Sequence, residues 1–283
     1  MSEMKTIELG AVSLNVKNLE KQKEFYQNTI GLYIIEESDK KVDLGIEGMK
    51  DILVSLVDTK EEIPQEKMTG LYHLALLLPT RKALGGILRH LLAIKAPLIG
   101  ASDHGYSEAL YLQDPEGNGI EIYRDKERSQ WDIKENGQIK GVTFEMDAEG
   151  VLAEGSELLS KMPIGTKMGH VHLSVADFEA NETFYRDILG FQLTDDLGGY
   201  ARFFGMDGYH HHIGTNNWLG TGLKQPKLET PGINHYEIVW ETEEVFQQVR
   251  KTLNVSGKEL LNETPKQFEI LDPNGIMITM ILK

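Results

Sequence analysis

The chain repeats itself. Residues 10–32, GAVSLNVKNLEKQKEFYQNTIGL, align without a gap on residues 169–191, GHVHLSVADFEANETFYRDILGF, at a constant offset of 159. Gly10, Val12, Leu14, Val16, Glu20, Phe25, Tyr26 and Gly31 recur as Gly169, Val171, Leu173, Val175, Glu179, Phe184, Tyr185 and Gly190. A repeat of this length is one supersecondary unit used more than once, so it constrains the architecture more than any single motif. Each copy starts with apolar residues at period two, as in a strand. It then passes a polar turn into an amphipathic helix that ends at a glycine suited to a C-cap.

Two weaker copies follow the same plan. They are residues 70–92, GLYHLALLLPTRKALGGILRHLL, and residues 232–253, GINHYEIVWETEEVFQQVRKTL. Each leads downstream to a strand opened by a turn, DPEGNGIEIY at 114–123 and DPNGIMITMI at 272–281. Asp-Pro-x-Gly is turn chemistry, and the alternating residues after it form a strand. The reading is an α+β chain of four βαβββ modules at 6–58, 69–125, 166–217 and 230–283, with the charged, irregular stretch 126–165 as a linker between halves. A single module leaves one sheet face bare, so modules are expected to pair and bury it.

Composition narrows the class of partner. The 283 residues suffice for two well-cored domains, and 40% hydrophobic with 26% charged residues is an ordinary globular balance. A net charge of −15 disfavours nucleic acid and anionic membrane surfaces as partners. There is no cysteine, hence no disulfide framework and no thiolate chemistry. The opening MSEMKTIELG lacks the apolar core of a signal peptide, and no apolar run reaches membrane-spanning length, so the expected compartment is the cytoplasm. The oligomeric state stays open, a homo-oligomer included.

The strand GLYHLALLLP, the turn-strand DPEGNGIEIY and the Phe-Tyr…Leu-Gly-Phe helix resemble the vicinal oxygen chelate superfamily, which includes glyoxalases, bleomycin-resistance proteins and extradiol ring-cleaving dioxygenases. The resemblance covers nearly the whole chain. It implies two cupped mixed sheets built from paired modules, with a divalent metal ligated from first and last strands. The first-strand ligand position holds Ala11 in module one and His170 in module three; the second holds His73 in module two and His235 in module four. The carboxylate position, four residues after the glycine of the turn, holds Glu121 in module two and Thr279 in module four. Pairing in sequence order leaves each half one ligand short. Pairing module two with three, and one with four, collects His73, Glu121 and His170. Two histidines and one carboxylate are the facial set of non-haem Fe(II) oxygenases, with positions left open for a bidentate substrate and O₂.

The same resemblance implies roles for three more residues. Tyr111, four residues before the proline of the last turn, and His104 in SDHGYSE would hold the substrate. His211, in the run GYHHHIGTNNW at 208–218, would act as general base and later acid. If that run is a strand, His210 and His212 face away from His211. His235 is expected to be structural, because its partner ligands are missing. Trp218 and Trp240 are expected mainly in core packing. The implied activity is Fe(II)-dependent extradiol cleavage of a small aromatic diol with O₂, resembling catechol 2,3-dioxygenases. A different divalent ion would also suit the ligands. The alternatives are a glyoxalase-type metal-dependent isomerase or transferase, which ordinarily uses four protein ligands, and a non-enzymatic drug-binding resistance protein of the same fold.

Overall fold

The structure, a computed structural model, describes residues 6–283. Sixteen strands form two mixed sheets among these residues. One has seven strands in the order Gln267–Leu271, Met277–Leu282, Gly232–Trp240, Ile7–Val16, Ile52–Asp58, Lys41–Gly45 and Tyr33–Ser38. The other has nine: Gln192–Asp196, Ala201–Gly205, Ile213–Asn216, Lys167–Ser174, Gly70–Leu77, Gly119–Asp125, Ser107–Gln113, Gly100–Asp103 and Phe144–Glu145. At the centre of each sheet two first strands pair antiparallel, Ile7–Val16 with Gly232–Trp240 and Lys167–Ser174 with Gly70–Leu77. One sheet thus joins the two ends of the chain and the other its middle.

The repeated residues make the same local structure each time. The helix Leu19–Phe25 begins at Asn18, whose side chain accepts from Lys21 N, and Phe178–Glu182 begins at Asp177, which accepts from Ala180 N. Thr80 and Thr242 cap Arg81–Ala93 and Glu243–Val255 in the same way. A side-chain acceptor there satisfies an amide that has no partner inside the helix. Both Phe-Tyr segments continue as a wider π turn, Tyr26–Ile30 and Thr183–Ile188, and Gly31 closes the first in the left-handed region at φ 91°.

The tyrosines of those turns tie helix to turn across modules. Tyr26 Oη donates to Asp114 at 3.3 Å, and Tyr185 Oη to Asp272 at 3.2 Å. Each aspartate opens an Asp-Pro-x-Gly turn. Asp114 Oδ1 accepts from the amides of Glu116 and Asn118, and Asp272 Oδ1 from those of Asn274 and Ile276. A buried carboxylate is tolerated here because amides surround it. The helices cover the outer sheet faces with one apolar core that includes Leu14, Tyr26, Leu56, Leu74, Leu88, Ile122, Phe184, Tyr236 and Phe246.

The stretch 126–165 is more than a connector. It supplies the edge strand Phe144–Glu145, paired with Gly100–Asp103, and the helix Ala148–Glu154. That helix packs so tightly on Arg81–Ala93 that a Cβ on Gly85 would lie 2.1 Å from the carbonyl of Val151. Among the described residues no helix is long and apolar enough to cross a membrane.

Candidate metal centre

Three neighbouring strands of the nine-stranded sheet carry His170, His73 and Glu121. His73 lies opposite His172 in the antiparallel register and beside Gly119 in the parallel one, while Glu121 lies beside Ala75. A register shift between Met168 and His170 turns the first of these strands at Gly169, where a Cβ would fall 1.9 Å from the Tyr123 hydroxyl. Only glycine permits that approach, and it sets where the His170 side chain emerges.

The three side chains converge. His73 Nε2 is 3.0 Å from Glu121 Oε2, His170 Nε2 is 3.2 Å from the same oxygen, and the two nitrogens are 3.2 Å apart. All three residues are buried. Ligand atoms at right angles, each about 2.1 Å from one ion, stand about 3.0 Å apart. The separations and the imidazole–carboxylate donor set therefore fit one divalent cation. Burial would raise the Glu121 pKa, but His170 and His73 outweigh it and hold the carboxyl well below its usual range. Burial lowers His170 to about 4, against the pull of Glu121. An ionised carboxylate and a neutral imidazole are the metal-binding forms. The far nitrogen of His170, Nδ1, is buried without a hydrogen bond, so packing orients the ring: Tyr123 and His211 lie at centroid distances of 4.9 and 4.2 Å.

A cavity of about 640 Å³ opens over these ligands. Tyr72, Leu112, Phe203 and Trp218 give it aromatic and aliphatic walls, and its described lining contains no lysine or arginine. Gly141, Val142 and Thr143 close one side. They come from the stretch read as a linker, and their backbone is fixed from both halves. Gly141 N donates to Asp195 at 2.9 Å, and the carbonyl of Val142 meets His104 Nδ1 at 2.9 Å.

That second contact assigns a tautomer. A carbonyl only accepts, so His104 carries its proton on Nδ1 and its Nε2 accepts from the Tyr111 hydroxyl, 2.6 Å away. Burial and the Glu121 carboxylate push the Tyr111 hydroxyl far above its ordinary range, so it remains an O–H group. His104, Tyr111 and His211 all line the same cavity as the three ligand candidates.

The histidine run differs from the strand expected of it. The flanking strands end at Gly205 and resume at Ile213, so His210–His212 occupy the connection between them. Side chains there do not alternate. His210 and His211 are both buried and touch through their Nδ1 atoms at 2.9 Å, while His212 Nδ1 accepts from Met206 N. Burial, with four histidines nearby, depresses the pKa of His211 well below its usual value. Trp218 also departs from expectation: it is 49% exposed and lines the cavity, whereas Trp240 is fully buried.

One cavity histidine was missed. His172 shares the face of His170 and stands opposite His73, ring centroids 4.9 Å apart. Its Nε2 is buried without a partner, and the ring packs on Tyr72 and Trp218. The signal was present in GHVHL: on a strand, position i+2 shares the face of a candidate ligand.

Fold and site define a protein of the paired-module metal-site type, and comparison with known proteins agrees. The chain belongs to the Glyoxalase/Bleomycin resistance protein/Dioxygenase superfamily, whose pattern matches residues 8–122 and 167–280. A catechol-2,3-dioxygenase of Bacillus subtilis (strain 168) is 37% identical over 279 residues, covering 97% of each chain. That likeness sets the chain among the dioxygenase enzymes of the superfamily. An iron-dependent extradiol dioxygenase of Rhodococcus jostii (strain RHA1) is 27% identical over 132 residues, 39% of this chain and 35% of its own. Glyoxalase I from Zea mays superposes with a TM-score of 0.58 at 14% identity, over 97% of this chain and 92% of its own, a likeness of fold.

Proposed function

We propose that the chain is a cytoplasmic Fe(II)-dependent extradiol dioxygenase that opens the ring of a catechol-type diol beside its two hydroxyls. The observation that carries this reading is the buried meeting of His73, Glu121 and His170 beneath a largely apolar cavity. These three residues would hold the iron. When bound, the ion supplies Lewis acidity toward the diol oxygens and open positions for a chelating substrate and O₂.

The chain's own residues supply the rest. Tyr72, Phe203 and Trp218 offer faces and edges to a flat aromatic ring and exclude water from it. Tyr111, donating to His104, keeps its oxygen lone pairs available to a substrate hydroxyl, and the Val142 carbonyl holds that pair from behind. His211 takes a proton from the diol and returns one later in the turnover, a task suited to a neutral imidazole. Each half, 6–125 and 166–283, contributes one module to each sheet, and the strands of 69–125 and 166–217 form the reactive cup.

The test is metal analysis of anaerobically purified protein, followed by oxygen uptake with catechol and the absorbance of the yellow semialdehyde. Stoichiometric iron with matched oxygen uptake is the expected result. Zinc or nickel retention with isomerase activity on a thiol adduct, and no oxygen uptake, would replace the reading with a glyoxalase-type one.

A further inference from the structure

Behind His211 lies a hydrogen-bonded chain that the proposed chemistry leaves unexplained. Asp125, the last residue of strand Gly119–Asp125, lies with Oδ1 2.9 Å from His210 Nε2. His210 Nδ1 lies 2.9 Å from His211 Nδ1. Among the described residues no hydrogen bond reaches His211 Nε2, and the ring lines the cavity. Asp125 is itself fixed, because Tyr209 Oη donates to Oδ2 at 3.0 Å and is 2.8 Å from Tyr123 Oη. The His210 ring is clamped between Tyr106, stacked at 4.2 Å and 12°, and Tyr209 at 4.1 Å.

Donor and acceptor logic runs one way along this chain. A carboxylate only accepts, so His210 carries a proton on Nε2. A neutral imidazole has one N–H, so His210 Nδ1 is a lone pair. His211 Nδ1 must then be the donor across the 2.9 Å contact, which leaves the lone pair of His211 on Nε2. We infer that Asp125 and His210 are positioning residues that hold His211 in its Nδ1–H tautomer, with Nε2 as the proton acceptor over the cavity. The inference rests on the reading of His211 as the base, and it gives the first two members of the chain a function that neither metal ligation nor substrate contact assigns.

Two substitutions separate positioning from packing. His210→Phe keeps the stacked ring and removes the acceptor. His210→Asn loses the stack, yet its amide oxygen sits on the same carbon as Nδ1 and can still accept from His211. Positioning predicts that His210→Phe lowers kcat roughly 10–100-fold, in the range usual for groups that orient a site residue. His210→Asn should retain most of kcat, with KM and metal content unchanged in both. A packing role gives the opposite order, and that order would overturn the inference. Side-chain nitrogen-15 spectra of the full-length chain loaded with diamagnetic zinc read the tautomer directly. Nε2 of His211 should be unprotonated in the unaltered protein and in His210→Asn, and mixed in His210→Phe. A proton on Nε2 in the unaltered protein, as a cationic His210 would impose, overturns it too. Full turnover in His211→Ala would instead remove the base reading while leaving the spectra interpretable.

Discussion

The two sheets share a plan and differ in what they hold. In the nine-stranded sheet His172 stands opposite His73; in the seven-stranded sheet Ser13 stands opposite His235 in the same register. Glu121 lies beside Ala75 in one, and Thr279 beside Glu237 in the other. Where the first sheet brings a carboxylate and two imidazoles together at 3.0–3.2 Å, the second closes its polar groups on themselves. Glu237 accepts from Ala11 N at 2.8 Å, Asp43 pairs with Lys41 at 2.9 Å, and Ser55 Oγ donates to Asp43. A Cβ on Gly10 would meet Glu237 at 2.3 Å, so the carboxylate fills the space beside the first strand. Converging ligands without an ion are costly to bury, so a sheet that lacks one member of the set is better served by local pairing. The lesson is that this fold tolerates exchange of its site residues, because the apolar alternation, caps and turns that hold it lie elsewhere.

The sharpest break of this comparison is to remove the ligands. His73→Ala, His170→Ala and Glu121→Ala should each abolish retained metal, read by elemental analysis after desalting, since each removes one of three candidate protein bonds. Retention of stoichiometric metal by any of them would mean the ion sits elsewhere. Next in size, His211→Ala should keep the metal and lose about 10²–10⁴-fold in kcat, the usual worth of general acid–base assistance. An anaerobic catechol titration should show near-normal binding beside that loss.

A third contrast is acid stability. The folded pKa of His170 is lowered from 6.5 to about 4, so between those values the unfolded chain binds a proton that the folded chain does not. Stability is therefore fully present above about 6.5 and falls as the pH drops toward about 4. Glu121, lowered well below 4.5, adds a loss of the same sign at still lower pH. Metal-free protein should show a falling Tm over this window, and His170→Ala should flatten it; an unchanged slope would show that other groups dominate.

Smaller effects refine the picture. Tyr111→Phe removes one hydrogen-bonding hydroxyl and should raise KM about threefold to tenfold, the worth of one such bond. His235→Ala should leave metal content and turnover unchanged, with stability lowered by about 1 kcal/mol, as for an ordinary half-buried position. A loss of metal there would move the site to the other sheet and undo the contrast.

The sequence by itself determined the superfamily, the α+β class and the duplicated cupped sheets. Period-two alternation, helix caps and Asp-Pro-x-Gly turns are local signals, and two copies 159 residues apart leave few ways to read them. Through the resemblance it also nominated His73, Glu121 and His170, which stand at the superfamily's ligand positions on first and last strands. What had no period could not be read in this way. The connection at His210–His212 lies outside any strand, so an alternation rule does not govern His210, and only packing against Tyr106, Tyr209 and Asp125 decided where its ring points. Residues 141–143 form a cavity wall through two amide contacts and one carbonyl contact to partners distant in sequence. His172 and Trp218 reach the cavity because an antiparallel register and a chain reversal bring them beside Tyr72. Such contacts join segments that share no pattern, and their free energy depends on a neighbour that exists only once the chain has folded.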